Sequence, residues 1–230
     1  MKRLQIYGDS ILKGVTLNEE TQKYYINDAI NFDEIVGGKV EVSNFSKFGC
    51  TIEKGKNILN KNFLLGNVGD YVIVEYGGND SDFNWTQISQ APEQEHYSNT
   101  PIGEFKEKYK DFVLTLKERG AKPILVNLIP VDAQKYLSWI CRNGLSRENI
   151  LLWLGDVYAI YRYQEQYSHA IEEISVKMGL PLIDLRSRFI CNRKIDDLFC
   201  SDGIHPSPKG QKIINTAITE FVCAQSASIG

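Results

Sequence analysis

Five short runs of apolar and β-branched residues recur along the chain, and polar segments separate them. The run from Tyr71 to Tyr76 is apolar at almost every position. A continuous run of this kind is typical of a strand buried on both faces of a parallel sheet, whereas a half-exposed strand alternates apolar with polar residues. The predicted strands are Leu4–Tyr7, Val40–Phe45, Tyr71–Tyr76, Pro123–Ile129 and Pro181–Leu185.

Between these runs, apolar residues recur at spacings of three and four, which is the period of an amphipathic helix. The predicted helices are Thr51–Leu64, Phe105–Arg119, Ser146–Met178 with a break near Gly155, and Ser207–Cys223. Strands that alternate with helices indicate βαβ units. We therefore predict a single α/β domain over residues 1–230, with a central parallel sheet of about five strands and a flexible tail at 224–230.

Two polar segments with scattered aromatic residues, Ser81–Pro101 and Val131–Leu145, follow the third and fourth predicted strands. Ligands bind beyond the carboxyl ends of the strands in open parallel sheets. These segments are therefore either walls of a pocket or surface excursions, and the pattern favours neither. If they form walls, the candidate substrate-binding residues are Trp85, Tyr97, Tyr136 and Trp139.

The composition limits the classes of partner that we expect the chain to bind. With 26 Lys and Arg against 29 Asp and Glu, the net charge is -3, so the chain has no cationic excess for nucleic acid. No stretch is apolar for long enough to predict a signal peptide or a membrane span. Five cysteines without a CxxC pair predict free thiols, no zinc site of that kind and a cytoplasmic location. The oligomeric state stays open.

The first predicted strand runs into Gly8-Asp9-Ser10. A serine at the carboxyl end of a strand, entering a helix, is exposed among free backbone N–H groups that favour negative charge. Such a serine suits nucleophilic attack on a carbonyl, although serine is also a common helix N-cap. Ser10 is therefore the candidate nucleophile, and its own N–H is a candidate donor to the oxyanion.

Two further candidate donors follow the second and third predicted strands. Gly49 stands at a strand-to-helix junction, and Asn79 follows Gly77-Gly78. A backbone N–H at Gly49 and the side-chain amide of Asn79 are both able to donate to an oxyanion. Alone, each residue is equally compatible with an ordinary turn. Asp80 is as compatible with helix capping as with catalysis.

The candidate acid–base pair lies near the C-terminus, in the sequence from Asp202 to Pro206. Histidine is the side chain best suited to move a proton near neutral pH. An aspartate three residues before His205 can accept a hydrogen bond from Nδ1, which leaves Nε2 free for Ser10. Asp184, at the end of the fifth predicted strand, is a rival for the acid, but it is not local to His205.

With these residues in place, the chain resembles the SGNH hydrolases, also called GDSL-type esterases and lipases. The matching blocks are Gly8–Ser10, Gly49, Gly77–Asp80 and Asp202–Pro206, and Ile11 replaces the leucine common after the serine. The resemblance implies a flavodoxin-like, three-layer α/β/α fold, no cofactor and an acyl-enzyme on Ser10. It also implies a Ser10–His205–Asp202 triad, an oxyanion hole of Ser10, Gly49 and Asn79, and an Asp9 that braces the serine turn.

The expected function is hydrolysis of a short-chain acyl ester of a small molecule, with an O-acetyl group on a carbohydrate as the preferred class. Fold does not fix substrate, so this expectation depends on aromatic residues near the site and on the absence of a long apolar loop. Two alternatives remain: an acyltransferase that uses the same triad, and a ligand-binding module without catalysis. Neither a metal nor a cofactor is expected.

Overall fold

The computed structural model describes residues 2–27 and 40–227 of the chain. Five parallel strands form the central sheet, and a separate antiparallel hairpin lies outside it. The strands are β1 (Lys2–Gly8), β2 (Val15–Asn18), β3 (Lys23–Ile26), β4 (Val40–Asn44), β5 (Tyr71–Glu75), β6 (Lys122–Val126) and β7 (Leu182–Ile183). The hairpin consists of β2 and β3.

Helices follow the strands of the central sheet. The helices are α1 (Ser10–Lys13), α2 (Ile52–Leu64), α3 (Trp85–Gln90), α4 (Ile102–Glu118), α5 (Ala133–Cys141), α6 (Arg147–Leu154), α7 (Ala159–Met178), α8 (Leu185–Ile190) and α9 (Pro208–Ala227). A short 3₁₀ helix spans Ile195–Leu198. None of the helices in the described part of the chain is both long and apolar enough to span a membrane.

The sheet has the order β4-β1-β5-β6-β7. Counted along the chain within this sheet, the order is 2-1-3-4-5, which is the flavodoxin-like arrangement. The strand order reverses between β1 and β5, so the connections leaving these two strands run to opposite sides and open a crevice at their carboxyl ends. This crevice is where the fold favours a ligand site.

Each face of the sheet is covered by its own hydrophobic core, which makes three layers. Along β5, Ile73 packs on one face, whereas Val72 and Val74 pack on the other, as the period of two in a strand requires. The first face is covered by α8 and α9 through Leu185, Phe189, Ile214 and Ile218. The second face is covered by α2, α4 and α7 through Leu59, Phe105, Phe112, Tyr167 and Ile171. The predicted three-layer α/β/α fold is therefore confirmed.

Several predicted boundaries change. The helical pattern over 146–178 is two helices, because Gly155 adopts φ +76° after α6. The segments Ser81–Pro101 and Val131–Leu145 are not loops throughout, since they contain α3 and α5. Together with α6, these helices form a third hydrophobic cluster, separate from the two cores on the faces of the sheet. The sequence pattern missed the hairpin of β2 and β3.

The predicted flexible tail at 224–230 overlaps the end of α9 and stays a prediction. Helix α9 continues to Ala227, and residues 228–230 lie outside the described part of the chain. Up to Val222, α9 is held against the sheet by an apolar stripe, because Ile214, Ile218 and Val222 recur every four residues and pack in the core of the first face.

Candidate active site

Ser10 stands at the carboxyl end of β1 as the first residue of α1. Asp9 caps this short helix, and its Oδ1 accepts a hydrogen bond from the Ile11 N–H at 2.8 Å. Gly8 precedes them at a crowded point, because a Cβ there would lie 3.1 Å from Glu75 Oε2 and from Leu12 Cβ. The Gly-Asp-Ser order therefore has a local reason: Gly8 allows a close approach, Asp9 caps the helix, and Ser10, although largely buried, lines the cavity.

His205 lies between Ser10 and Asp202. Its Nε2 is 3.0 Å from Ser10 Oγ, and its Nδ1 is 2.7 Å from Asp202 Oδ2. The other oxygen of Asp202 accepts from the backbone N–H groups of Ile204 and His205, both at 3.0 Å. Burial acts to raise the pKa of Asp202, but its hydrogen bonds with His205 and the charge of that residue outweigh burial and hold the pKa below the ordinary value. Asp202 is therefore an ionised acceptor that orients the imidazole.

The turn that carries His205 is held against α5. Gly203 adopts φ +75°, and its carbonyl accepts from the Asp132 N–H at 2.8 Å. A Cβ at Gly203 would lie 2.6 Å from Asp132 O and 2.6 Å from Tyr136 N. Glycine is required here both for the backbone conformation and for the close approach.

The three predicted oxyanion donors line the same cavity as Ser10 and His205. Gly49 adopts φ +65°, which explains the glycine by conformation, because no atom lies within 4 Å of a Cβ there. Asn79 Nδ2 donates to Asp9 Oδ2 at 3.0 Å and to the Cys50 carbonyl at 3.3 Å. Among the described residues, the N–H groups of Ser10 and Gly49 have no hydrogen-bond acceptor.

Two carboxylates that the sequence left open have structural partners. Asp80 accepts from the Ile52 N–H, the first of α2, and from Thr100 Oγ1 at 2.7 Å, so it caps a helix. Burial raises the pKa of Asp80 to about 6. Asp184 caps α8 through the Ser187 N–H at 3.0 Å and also accepts from an asparagine of the neighbouring strand end. The acid that contacts His205 is Asp202.

Behind Ser10, two carboxyl groups are buried together. The Asp9 N–H donates to Glu75 Oε2 at 3.3 Å, and both side chains are almost fully inaccessible. Burial, followed by the charge of Asp9, raises the pKa of Glu75 well above its ordinary value. Burial raises the pKa of Asp9 as well, although its hydrogen bonds from Ile11 and Asn79 lower it in turn. Asp9 is the acceptor of the pair for Asn79 and Ile11.

The cavity at this site has a volume of about 250 Å³. Of the four predicted substrate-binding aromatics, the structure brings Trp85 and Tyr136 to its wall. Tyr97 is 64% exposed and lies outside the lining, and Trp139 stacks on the Arg142 guanidinium at 3.5 Å outside it as well. Sequence alone cannot tell the two aromatics that line the cavity from the two that do not. Tertiary packing decides which face of a helix or loop meets the cavity.

The cavity residues that sequence reasoning missed include Tyr24, Phe48 and Asp82. Tyr24, from the hairpin, places its ring 4.8 Å from the His205 ring, and Phe48 stacks parallel to His205 at 5.7 Å. Asp82 lines the same cavity and accepts hydrogen bonds from Trp85 and Tyr136. Phe48 directly precedes Gly49 and Asp82 follows the Gly77–Asp80 block, so proximity to a motif was a usable signal for both; no such signal marks Tyr24.

The serine, histidine and aspartate lie in hydrogen-bonding sequence at the carboxyl edge of a flavodoxin-like sheet, which is the arrangement that serine hydrolases use. Comparison with known proteins agrees. Residues 6–213 match the sequence model of the GDSL-like Lipase/Acylhydrolase family. The chain belongs to this family.

Individual relatives are more distant. The chain is 30% identical over 157 residues to the GDSL esterase/lipase CPRD49 of Arabidopsis thaliana, a match that covers 66% of this chain and 53% of that protein. The chain thus spans about half the length of this relative.

Solved structures share the fold over nearly the whole chain. A lipase/acylhydrolase from Enterococcus faecalis superposes with a TM-score of 0.70 at 19% identity, covering 98% of this chain and 97% of that one. A catalytic mutant of an acetylxylan esterase from Geobacillus stearothermophilus superposes with a TM-score of 0.64 at 17% identity, covering 95% and 93%. At these identities the likeness establishes the fold.

Proposed function

We propose that this protein hydrolyses short-chain acyl esters of small molecules through a covalent acyl-enzyme on Ser10. The observation that carries the proposal is the chain of two hydrogen bonds, 3.0 Å from Ser10 Oγ to His205 Nε2 and 2.7 Å from His205 Nδ1 to Asp202. Both distances lie within the range that proton transfer between a nucleophile and its base requires.

In the proposed acylation step, His205 Nε2 takes the proton of the Ser10 hydroxyl as Oγ attacks the ester carbonyl carbon. The carbonyl oxygen becomes an oxyanion and accepts from the N–H groups of Ser10 and Gly49 and from Asn79 Nδ2. His205 then donates its proton to the departing alcohol oxygen, and Ser10 keeps the acyl group. Asp202 stays ionised throughout and stabilises the imidazolium.

Asn79 must give up one of its hydrogen bonds before it can donate to the oxyanion. Its two amide hydrogens are engaged in the resting enzyme, one with Asp9 Oδ2 at 3.0 Å and one with the Cys50 carbonyl at 3.3 Å. The shorter bond is to a carboxylate and orients the amide. The longer bond to a neutral carbonyl is the one we expect Asn79 to exchange for the oxyanion.

Deacylation repeats the sequence with water in place of the serine. His205 takes a proton from the attacking water, and the oxyanion forms on the same donors. The proton then returns to Ser10 Oγ, and the carboxylic acid leaves. An acyltransferase would admit an alcohol at this step instead of water, which remains the second candidate that shares the site.

The size of the cavity favours small acyl groups. A volume of about 250 Å³ is below the roughly 300–1,000 Å³ of pockets that enclose drug-sized ligands. An acetyl ester of a sugar is our preferred substrate, because Trp85 and Tyr136 line the cavity beside a carboxylate. The acetylxylan esterase with the same fold acts on this kind of ester.

The test is hydrolysis of p-nitrophenyl esters of increasing acyl length by the wild type, Ser10→Ala and Ser81→Ala. Ser81 lines the same cavity and bonds to the Gly78 carbonyl, so its variant is a matched loss of a hydroxyl. We expect activity highest on acetate, lost in Ser10→Ala and kept in Ser81→Ala. Equal activity in Ser10→Ala and the wild type would refute the proposal.

An added alcohol separates the two candidates. Hydrolysis predicts that p-nitrophenol and free acetate form in equal amounts whether or not glycerol or xylose is present. A deficit of acetate, matched by an acetylated acceptor, would identify an acyltransferase instead.

A further inference from the structure

Asp82 is a carboxylate at the wall of the catalytic cavity that the triad and the oxyanion donors do not use. Its Oδ1 accepts two hydrogen bonds, from Trp85 Nε1 at 2.8 Å and from Tyr136 Oη at 2.8 Å. Both donors come from helices packed beyond the sheet, α3 and α5. The side chain is thereby fixed in place while Asp82 keeps part of its surface open to the cavity.

The cavity that Asp82 lines is mostly apolar. Its described lining includes Phe83, Ile129 and Ile160. Gln164 also lines the cavity, but its amide donates to the Ile129 carbonyl at 2.8 Å and accepts from an arginine at 3.0 Å, so both of its ends are engaged. Asp82, by contrast, presents a carboxylate acceptor to the same cavity.

No lysine or arginine lines the cavity among the described residues, whereas Asp9, Glu75 and Asp82 do. Without a cation in the lining, the cavity disfavours substrates that carry a carboxylate or a phosphate. A partly desolvated carboxylate attracts a hydrogen-bond donor instead, and such charge-assisted bonds are the stronger ones.

We propose that Asp82 is a specificity-determining residue that binds a hydroxyl group of the substrate, so that the enzyme selects hydroxylated esters over apolar esters of the same shape. The inference rests on the proposed ester hydrolysis and names the substrate class within it. A hydroxyl is favoured over an ammonium group because two protein donors already share the Asp82 charge, and because a neutral group loses far less hydration on entering an apolar cavity.

Asp82 does more than hold Trp85 and Tyr136 in place, because both aromatic rings also line the cavity. Each ring lines the cavity next to the carboxylate it donates to, and the rings meet edge to face at 6.1 Å. Aromatic walls beside a fixed hydrogen-bond acceptor present both an apolar and a polar surface to one ligand. A polyol or sugar ester, with C–H faces and hydroxyl edges, fits both surfaces.

The experiment compares matched esters that differ by one hydroxyl. On the alcohol side the pair is 2-hydroxyethyl acetate and propyl acetate; on the acyl side it is ethyl 3-hydroxybutyrate and ethyl 3-methylbutyrate. We expect the wild type to favour the hydroxylated member of one pair by roughly tenfold or more in kcat/KM, since a hydrogen bond to a charged group is at stake. The pair that shows the preference tells which side of the ester faces Asp82.

The variant is Asp82→Asn, whose amide oxygen still accepts from Trp85 and Tyr136. We expect the preference for the hydroxylated ester to fall roughly fivefold or more, because a neutral partner replaces the carboxylate. Asp111→Asn is the control, since Asp111 is an exposed carboxylate on α4 that pairs with Lys56. A purely structural role of Asp82 would lower kcat/KM for both members of a pair alike and leave their ratio unchanged.

Several outcomes would overturn the inference. One is a wild type that does not discriminate within either pair, which needs no variant and so stands even if Asp82→Asn fails to fold. Another is a stronger preference for acetylcholine over its neutral isostere 3,3-dimethylbutyl acetate than for either hydroxylated ester. In both cases, activity on p-nitrophenyl acetate that depends on Ser10 would still support the proposed ester hydrolysis. If the enzyme hydrolyses no ester at all, the proposed ester hydrolysis itself is refuted.

Discussion

Asp202→Asn changes one atom of the side chain that orients the catalytic histidine. In the wild type, Asp202 Oδ1 accepts two backbone N–H groups and Oδ2 accepts from His205 Nδ1. An asparagine has one oxygen and one NH₂ for these two places. Because two N–H donors converge on the Oδ1 position, the asparagine oxygen must occupy it, and the NH₂ then faces His205.

An NH₂ group opposite Nδ1 reverses the tautomer of His205. Nδ1 must offer its lone pair, so the proton moves to Nε2, which stands 3.0 Å from Ser10 Oγ. A protonated Nε2 cannot accept the serine proton. The same change in other serine enzymes lowers kcat about 10⁴-fold, which corresponds to about 5.5 kcal/mol of transition-state stabilisation at about 1.36 kcal/mol per factor of ten.

The assay is the kcat for p-nitrophenyl acetate at neutral pH, with circular dichroism to show that each variant folds. We expect a loss of about 10⁴-fold in kcat with KM little changed, because Asp202 does not line the cavity. Asp184→Asn is the matched control: it removes a carboxylate that caps α8 and does not contact His205. This control should retain most of the kcat.

A loss of less than about tenfold in Asp202→Asn would refute the tautomer argument. It would mean that water or another group orients His205. An equal loss in Asp184→Asn would show that the damage comes from the fold and not from the tautomer.

Three other changes test separate parts of the account. Asn79→Ala removes one oxyanion donor and should lower kcat roughly 10²–10³-fold; a loss below about tenfold on p-nitrophenyl acetate would contradict its role. Gly203→Ala places a Cβ 2.6 Å from Asp132 O at φ +75° and should lower the free energy of unfolding in urea by at least about 2 kcal/mol. Gly144→Ala is its control, because Gly144 has φ +90° but no atom within 4 Å of a Cβ, so that only the cost of the backbone conformation applies. The lowered pKa of Asp202 contributes stability that is present above the ordinary value of 3.8 and is lost as the pH falls through the folded value. The Tm difference between the wild type and Asp202→Asn should therefore shrink in acid, and a difference independent of pH would exclude this linkage.

Much of the architecture followed from hydrophobic patterning, because β5 and β6 are nearly continuous apolar runs between amphipathic helices. The order of the strands did not follow from the pattern; it came from the family resemblance, and the observed β4-β1-β5-β6-β7 sheet confirms it. The hairpin of β2 and β3 was missed for a physical reason. Its second strand, Lys23–Ile26, is exposed along its length, so it lacks the alternation of a half-buried strand.

At the site, local motifs were more informative than isolated aromatic residues. Asp202 and His205 are three residues apart, and a single turn brings them together, so spacing alone predicted their contact. Trp139 packs against the cluster of α3, α5 and α6, whereas Tyr97 is exposed, and spacing carries no information about either placement. The Asp82 carboxylate adjoins a motif, but its place between Trp85 and Tyr136 is a tertiary feature.

The most direct test of the central claim is covalent labelling of Ser10. The wild type, Ser10→Ala and Ser81→Ala are incubated with a p-nitrophenyl phosphonate ester, and the modified peptide is identified by mass spectrometry. The account predicts one phosphonyl group on the peptide that contains Ser10 in the wild type and in Ser81→Ala, with no label in Ser10→Ala and loss of esterase activity in step with labelling. A label on another residue, or esterase activity that survives complete labelling of Ser10, would contradict it.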